Sequence, residues 1–320
     1  MIKIAIDAMG GDNAPKITVD GAMQAIQEFN DIEIMLFGDE NQIKPLLSDD
    51  TRITIVHCDD YYRMDEKDLA QAVRRRKETS MIKAMKACYD NKCEAIVTAG
   101  PTGAVVSGGT LIVKRIPGFY RPALGPVIPQ VDGSYMLLLD CGANVECKPE
   151  WLLQFAHIAS IYSEKVLGKI NPRVGLLNNG EEEGKGNNLS IQAYELLSGQ
   201  SGLNFIGNIE GRDLFNSRCD VLVCDGFTGN ILLKTLEGMV FFLAAGVKEE
   251  LGAIPPTFAR LDYTQIGGAP LLGVNGISVV CHGSSRRGTV CNGLKIAADS
   301  INNKIIDKQL QELSRLKIEN

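Results

Sequence analysis

The chain has 320 residues, 45% of them hydrophobic and 22% charged, with a formal net charge of −6. This composition supports a sizeable buried core and excludes a disordered chain. The acidic balance argues against general affinity for nucleic acid, so no nucleic-acid partner is expected.

The chain starts directly on a strand pattern, so no signal peptide is expected. In chain order, "IKIAIDA", "IEIMLFG", "RITIVH", "EAIVTAG", "YMLLLDCGAN", "RVGLLNNG", "LNFIGN", "DVLVCDG" and "GISVVCHG" read as strands. Most are continuous apolar runs, the pattern of strands covered on both faces. Helical patterns lie between them, at Ile17–Phe29, Ser80–Asn91, Glu150–Val166, Asn187–Ser198 and Gly229–Glu250. The alternation predicts an α/β fold: a mostly parallel sheet with helices on both faces. It reads as one large domain over residues 1–320, with a helical protrusion around 229–268. No apolar stretch reads as long and charge-free enough to span a bilayer.

Nine cysteines contain no C-x-x-C pair; the nearest sets are Cys88/Cys93, Cys141/Cys147 and Cys219/Cys224. With three histidines, His57, His157 and His282, a structural zinc site is not expected. Several cysteines fall in apolar strand runs and read as reduced, buried thiols of a cytoplasmic protein.

Strand after strand ends in a small or polar cluster: "DAMGGDN", "TAGPTGA", "DCGANVE", "NNGEEEGKGN", "CDGFTGN" and "CHGSSRR". In parallel α/β folds ligands bind beyond the carboxyl ends of the strands. Six such loops predict a long cleft for a substrate with several phosphate or carbonyl oxygens. In the first loop, Asp12 or Asn13 is placed to cap the following helix, with Pro15 in its first turn. Asp7, at the end of the first strand, either orients a ligand or holds the loop. Neither the phosphate-loop motif nor the dinucleotide fingerprint is present, so neither an ATPase nor an NAD enzyme is expected.

"RRRKETSM" opens a basic stretch in an acidic chain. It reads as a solvated helix face or as a dock for an acidic partner. Lys185 sits in a glycine-flanked acidic loop, where a lone ammonium suits a phosphate or an oxyanion. Three consecutive acids precede it, but no ligand spacing supports a metal. Asn230 offers a side-chain amide of the kind an oxyanion hole uses, and Thr228 reads as a helix cap. His282 and Ser284 are close in "CHGSS", but residues two apart rarely form a catalytic dyad and G-x-S-x-G is missing.

The ordered set "DAMGGDNAP", "RRKETSM", "AGPTGA", "RIPGFYRPAL", "GANVECKPEWLLQFA", "NPRVGLLNNGEEEGKGN", "DGFTGN", "GGAPLLGVNG" and "HGSS" resembles the bacterial phosphate acyltransferases of phospholipid synthesis, the PlsX family. The resemblance runs from Ile4 to about Arg286. It implies a fold of the isopropylmalate dehydrogenase/phosphotransacetylase type. It implies conversion of acyl-acyl carrier protein and inorganic phosphate to acyl phosphate and free carrier, with no cofactor or metal. It further implies a cytoplasmic homodimer, peripherally attached to the membrane, that feeds a glycerol-3-phosphate acyltransferase.

By the same resemblance Lys185 and Asn230 contact phosphate and oxyanion, and Asp225 orients one of them. Asp7, Gly10, Gly11 and Asn13 line the cleft, with Asn144 and His282 on other strand ends. Arg75, Arg76 and Lys77 dock the acidic carrier. Cys147 matches a family block and reads as structural rather than as a thioester-forming nucleophile. The chain departs from the family pattern at Pro101, where Asn is usual, at Arg286 and Arg287 after "HGSS", and in a shorter segment between Leu251 and Leu261. Two alternatives remain open: a phosphotransacetylase-like enzyme using acyl-CoA, and a catalytically weakened paralogue that binds the carrier.

Overall fold

A computed structural model describes residues 1–48, 51–255 and 267–315. The chain divides into two compact units: Met1–Pro122 with Ile266–Leu310, and Ala123–Gln265 with Gln311–Asn320. Along the first unit run β1 (Ile2–Asp7), α1 (Lys16–Glu28), β2 (Ile32–Gly38), α2 (Glu40–Ile43) and β3 (Ile53–His57). They are followed by α3 (Leu69–Arg75), α4 (Ser80–Tyr89), β4 (Ala95–Thr98) and α5 (Thr102–Gly108). The middle of the chain holds β5 (Ala123–Leu124), β6 (Val127–Pro129), β7 (Tyr135–Leu139), α6 (Pro149–Lys165), β8 (Arg173–Asn178) and α7 (Asn188–Ser198). Then come β9 (Asn204–Glu210), β10 (Val221–Val223), α8 (Gly226–Leu251), β11 (Gly268–Leu272), β12 (Ile277–Cys281), α9 (Arg287–Asn302) and α10 (Ile305–Arg315).

In the first unit the strand order is β3-β2-β1-β4-β12-β11. From β3 to β12 every neighbouring pair is parallel, and β11 runs antiparallel to β12. Ile4, Ile6, Ile96, Val97 and Val279 are at most 1% exposed. This is why these strands read as unbroken apolar runs: helices shield both faces of the sheet. Helices α1 and α9 approach closely because Gly21 has no Cβ, which would come within 2.5 Å of Val290.

The second unit has its own sheet, ordered β6-β7-β10-β8-β9. β7, β10, β8 and β9 are successively parallel, and β6 is antiparallel to β7. One side of its core joins Met136, Leu138, Ile209 and Leu222 to Cys141, Cys219 and Cys224. Seven of the nine cysteines are buried, in line with their apolar contexts.

All nine strands and all five helices read from the sequence are present. Most elements it does not reveal are short, proline-bearing or strongly charged, but α9, 16 residues long, is none of these. β5 and β6 lie in "RPALGPVIP", β11 carries Pro270, and α3 ends in the arginine run. The strands also form two sheets, which local apolar runs do not specify because pairing partners are remote in sequence.

Helix α8 corrects one expectation. Its 26 residues contain an 18-residue stretch of mean hydropathy 1.5, long and apolar enough by length and composition to cross a membrane. The helix runs through Gly238 and Gly246, as the helical pattern over Gly229–Glu250 predicts, and begins three residues earlier. Leu232, Leu233 and Leu236 pack against the second unit's core. Beyond them Met239, Phe241 and Phe242 are exposed, the two phenylalanines by 78% and 75%. Residues 256–266, the far part of the expected protrusion, lie outside the described residues.

Candidate functional site

In the first unit the loops after β1, β4 and β12 leave adjacent parallel strands at the same edge of the sheet. Asp7 organises them. It is 2% exposed and accepts hydrogen bonds from Ser80 Oγ (2.6 Å) and Thr98 Oγ1 (2.8 Å). Burial raises its pKa, against the lowering effect of those two hydroxyls. Both carboxylate oxygens are engaged inside the protein, so this geometry is that of a group holding the loop.

Gly10 is buried in the same knot. A Cβ there would lie 2.7 Å from both Asp7 Oδ2 and Gly100 N. Gly11 has φ +107°, a conformation open to glycine. The neighbouring Asp12 N donates to Gly283 O at 2.8 Å, joining the β1 and β12 loops. Asn13 is exposed. The expected cap by Asp12 or Asn13 is not formed: Pro15 is the N-cap residue of α1, without a side-chain cap bond. The loop runs further than a cap at those positions allows, and Thr18 Oγ1 closes it by donating to Ala8 O and Pro15 O.

His282 is exposed at the end of β12. Its Nδ1 is 2.8 Å from Ser284 Oγ and accepts from Ser284 N, an arrangement that closes its own turn. Pro101 is the N-cap residue of α5, and its carbonyl accepts from Ala104 N and Val105 N. A proline therefore costs that helix start nothing.

The basic stretch is not a uniform patch. Arg76 is tied internally. Its guanidinium holds Asp60 through two nitrogens, Glu66 at 2.5 Å and Tyr61 O at 2.7 Å, and lies over the Tyr62 ring. Those bonds raise its pKa and hold Asp60 below the ordinary carboxylate range. Lys77 Nζ donates to Val73 O, while Arg75 is exposed. Sequence order put the three together; the fold assigns Arg76 to fastening the segment between β3 and α3.

In the second unit the loops after β7, β10 and β8 also leave three neighbouring parallel strands. Their centre is Asp140, a residue the sequence analysis did not select. It is 0% exposed and accepts from Leu124 N (2.9 Å), Ala143 N (3.2 Å), Asn144 N (2.7 Å) and Asn144 Nδ2 (3.0 Å). Burial pushes its pKa up to about 6, partly opposed by those donors. Asp7, Asp140 and Asp225 all follow apolar runs at strand ends, the one signal in the sequence that links them.

Asn144 O accepts the N–H of Gly226 at 2.8 Å, which seats the first turn of α8 on the β7 loop. Asp225 caps α8, accepting from Thr228 N and Thr228 Oγ1. The cap is thus Asp225 rather than Thr228. Asn230, half-buried in the first turn, packs against Gly142, where a Cβ would lie 3.5 Å from its amide carbon. Burial pushes the Cys147 thiol up to about 12, which opposes a thiolate nucleophile.

Lys185 is exposed in the loop after β8. Asn178 Nδ2 donates to its carbonyl (2.9 Å), and Asn208 Nδ2 fastens Glu182 O (3.0 Å). Its side chain runs along Gly180, where a Cβ would meet Lys185 Cγ at 2.9 Å. Among the described residues no carboxylate pairs with its ammonium, and the nearby Glu181 is bound to Arg218. No group of three or more His, Cys, Asp or Glu side chains suited to a metal occurs among the described residues.

A family model described as "Fatty acid synthesis protein" matches residues 2–308. The chain is 48% identical over 319 residues to a phosphate acyltransferase of Syntrophomonas wolfei, covering 98% of this chain and 99% of that one. It is 45% identical over 323 residues to a phosphate acyltransferase of Pelotomaculum thermopropionicum, covering 96% and 93%. Among solved structures it is similar to a Streptococcus pyogenes phosphotransacetylase (TM-score 0.64, 16% identity, 96% and 94% covered). It is likewise similar to an Enterococcus faecalis branched-chain phosphotransacylase (TM-score 0.65, 15% identity, 94% and 99% covered). At these identities the two structures establish a shared fold.

Proposed function

The chain belongs to the fatty acid synthesis protein family and is a phosphate acyltransferase; from that premise we propose that it transfers an acyl group from acyl carrier protein to inorganic phosphate. A phosphate oxygen forms the new C–O bond at the thioester carbonyl. The tetrahedral oxyanion then collapses, the C–S bond breaks, and the departing thiolate takes up a proton. A free thiol has a pKa of about 8.5, so its departure needs little acid help. What the reaction needs is the joining of two anionic partners and stabilisation of the oxyanion.

The observation that carries this reading is the exposed Lys185 ammonium on the loop after β8, which has no carboxylate partner among the described residues. Its neighbour strand β10 leads to Asn230 and the positive end of α8. Lys185 binds the attacking phosphate, and the Asn230 amide donates to the oxyanion. Asp225 acts by capping α8, which sets the position of Asn230. Asn144 contributes by seating the same helix. Within the first unit by itself Gly10, Gly11, Asn13 and His282 are candidate ligand contacts of the strand-end loops, and Asp7 holds the loop that carries the two glycines. Arg75 and Lys77 attract the acidic carrier, beside an Arg76 that keeps their segment in place.

The exposed apolar half of α8 supports a homodimer formed over this helix and peripheral attachment of a cytoplasmic enzyme to the inner face of the cell membrane. Such a place suits delivery of acyl phosphate to a glycerol-3-phosphate acyltransferase. Light scattering of the unaltered protein tests the homodimer, and flotation of the unaltered protein beside Phe241→Ser/Phe242→Ser with anionic vesicles tests the attachment.

The reaction is tested by incubating acyl-carrier protein or acyl-CoA with and without phosphate and trapping acyl phosphate as the hydroxamate. Phosphate-dependent product from the carrier is expected. Product from acyl-CoA alone replaces the donor, and product from neither overturns the transfer.

A further inference from the structure

Cys88 lies in the last turn of α4 and Cys93 just ahead of β4. Their Sγ atoms are 2.8 Å apart, about 0.8 Å more than the roughly 2.05 Å of a disulfide bond. Backbone geometry dictates this approach. Asn91 takes a left-handed φ of 56°, its N–H donates to Cys88 O, and Lys92 N donates to Ala87 O. The chain therefore doubles back, carrying Cys93 across the last turn of α4. Among the described residues this is the one pair of thiols in hydrogen-bond contact. Access to them is unequal: Cys93 is 4% exposed, whereas Cys88 is half-buried.

We infer that Cys88 and Cys93 form a redox-active dithiol that closes to an intramolecular disulfide on meeting a low-molecular-weight disulfide. Access makes Cys88 the attacking thiol; the Cys93 contact and burial raise its pKa, so it loses its proton to solvent before its sulfur attacks one sulfur of the oxidant and forms a mixed disulfide. The first oxidant thiolate departs and takes the proton that Cys88 released. Cys93 Sγ then attacks the Cys88 sulfur, loses its own proton and expels the second oxidant thiol. The protein loses two electrons and two protons, and the oxidant is reduced to two thiols.

The pair sits at the amino end of β4, where Glu94 N donates to Lys3 O and Lys3 N to Glu94 Oε2. Asp7 and Thr98 lie at the opposite ends of β1 and β4. The bond therefore staples α4 to β4 without touching the strand-end loops. Closing so short a loop raises the melting temperature by roughly 4–8 °C. Turnover stays within about twofold of the reduced enzyme, since no group near the reacting atoms moves.

The test is equilibration of the full-length protein in glutathione buffers of increasing oxidised fraction, then alkylation and peptide mapping by mass spectrometry. The expected result is a Cys88–Cys93 cross-linked peptide, lost in Cys88→Ser. Cys93→Ser is expected to stop at a stable glutathione mixed disulfide on Cys88. Alkylation of both thiols in the most oxidising buffer overturns the inference. So does cross-linking of Cys88 to any other cysteine.

Discussion

Gly229→Ala is the sharpest probe of how the second unit's loops are held. A Cβ at Gly229 would lie 2.0 Å from Asp140 O and 2.9 Å from Cys224 Sγ. Ordinary Cβ contacts begin at 3.4 Å, so 1.4 Å of separation must be found. The obstructing atom is backbone, and no rotamer change relieves the contact. The Cys224 thiol also donates to that oxygen at 3.5 Å, and the Asp140 N–H is bound to Cys224 O at 3.0 Å. The first turn of α8 must therefore move, and Asn230 is the next residue. Overpacking of this kind costs about 1–3 kcal/mol of stability. A displacement near 1 Å of a positioned group costs roughly 100-fold in rate, or about 2.7 kcal/mol of barrier. The assay is hydroxamate trapping with acyl-carrier protein, run beside a thermal melt. Gly238→Ala is the matched control, since its Cβ would meet nothing within 4 Å. The control should keep native turnover and gain about 0.5–1 kcal/mol of stability from helix propensity. Native turnover and an unchanged melt in Gly229→Ala would refute the argument.

Lys185→Ala should lower kcat/KM by roughly 100-fold while leaving the melting temperature unchanged, because its ammonium has no ion pair to lose among the described residues; wild-type rates would remove it from the mechanism. Asp140 makes a pH-dependent contribution with a definite sign. Its folded pKa of about 6 lies above the ordinary aspartate value of 3.8, so between these values the native state holds a proton that the unfolded chain has released. Its contribution is therefore most favourable below pH 4, falls by about 3 kcal/mol as pH rises to 6, and stays lost above that. Denaturant melts from pH 4 to 7 should show this slope, and Asp140→Asn should remove it. The two arginines should separate: Arg75→Glu raises KM for the carrier at low salt with kcat unchanged. Arg76→Ala instead costs about 1–2 kcal/mol of stability by releasing Asp60 and Glu66, read by thermal melting; equal stability in the two variants would contradict the assigned roles.

Asp7 shows where sequence reasoning stops. An acid at a strand end beside two glycines fits a ligand contact and a loop anchor equally. The choice depended on Ser80 and Thr98, which lie 73 and 91 residues away in the chain. Asp140 was overlooked for the same reason: its four donors come from two segments, one of them across the sheet edge at Leu124. Arg76 was grouped with Arg75 and Lys77 by adjacency, whereas its partners Asp60 and Glu66 are on another segment. Lys185 was legible because glycines flank it and its backbone contacts are local to the loop.

The sequence by itself determined the class of the fold, its strands and main helices, and the loops at their carboxyl ends. Those features follow from local periodicity: buried parallel strands need unbroken apolar runs, and tight exits from them need small residues. Only the tertiary structure decided that the strands form two sheets, that Asp7 and Asp140 are sealed from solvent, and that α8 leaves Phe241 and Phe242 uncovered. Burial, strand partnership and the raised pKa values of buried carboxylates arise from contacts between distant segments, and no window of sequence contains both members of such a contact.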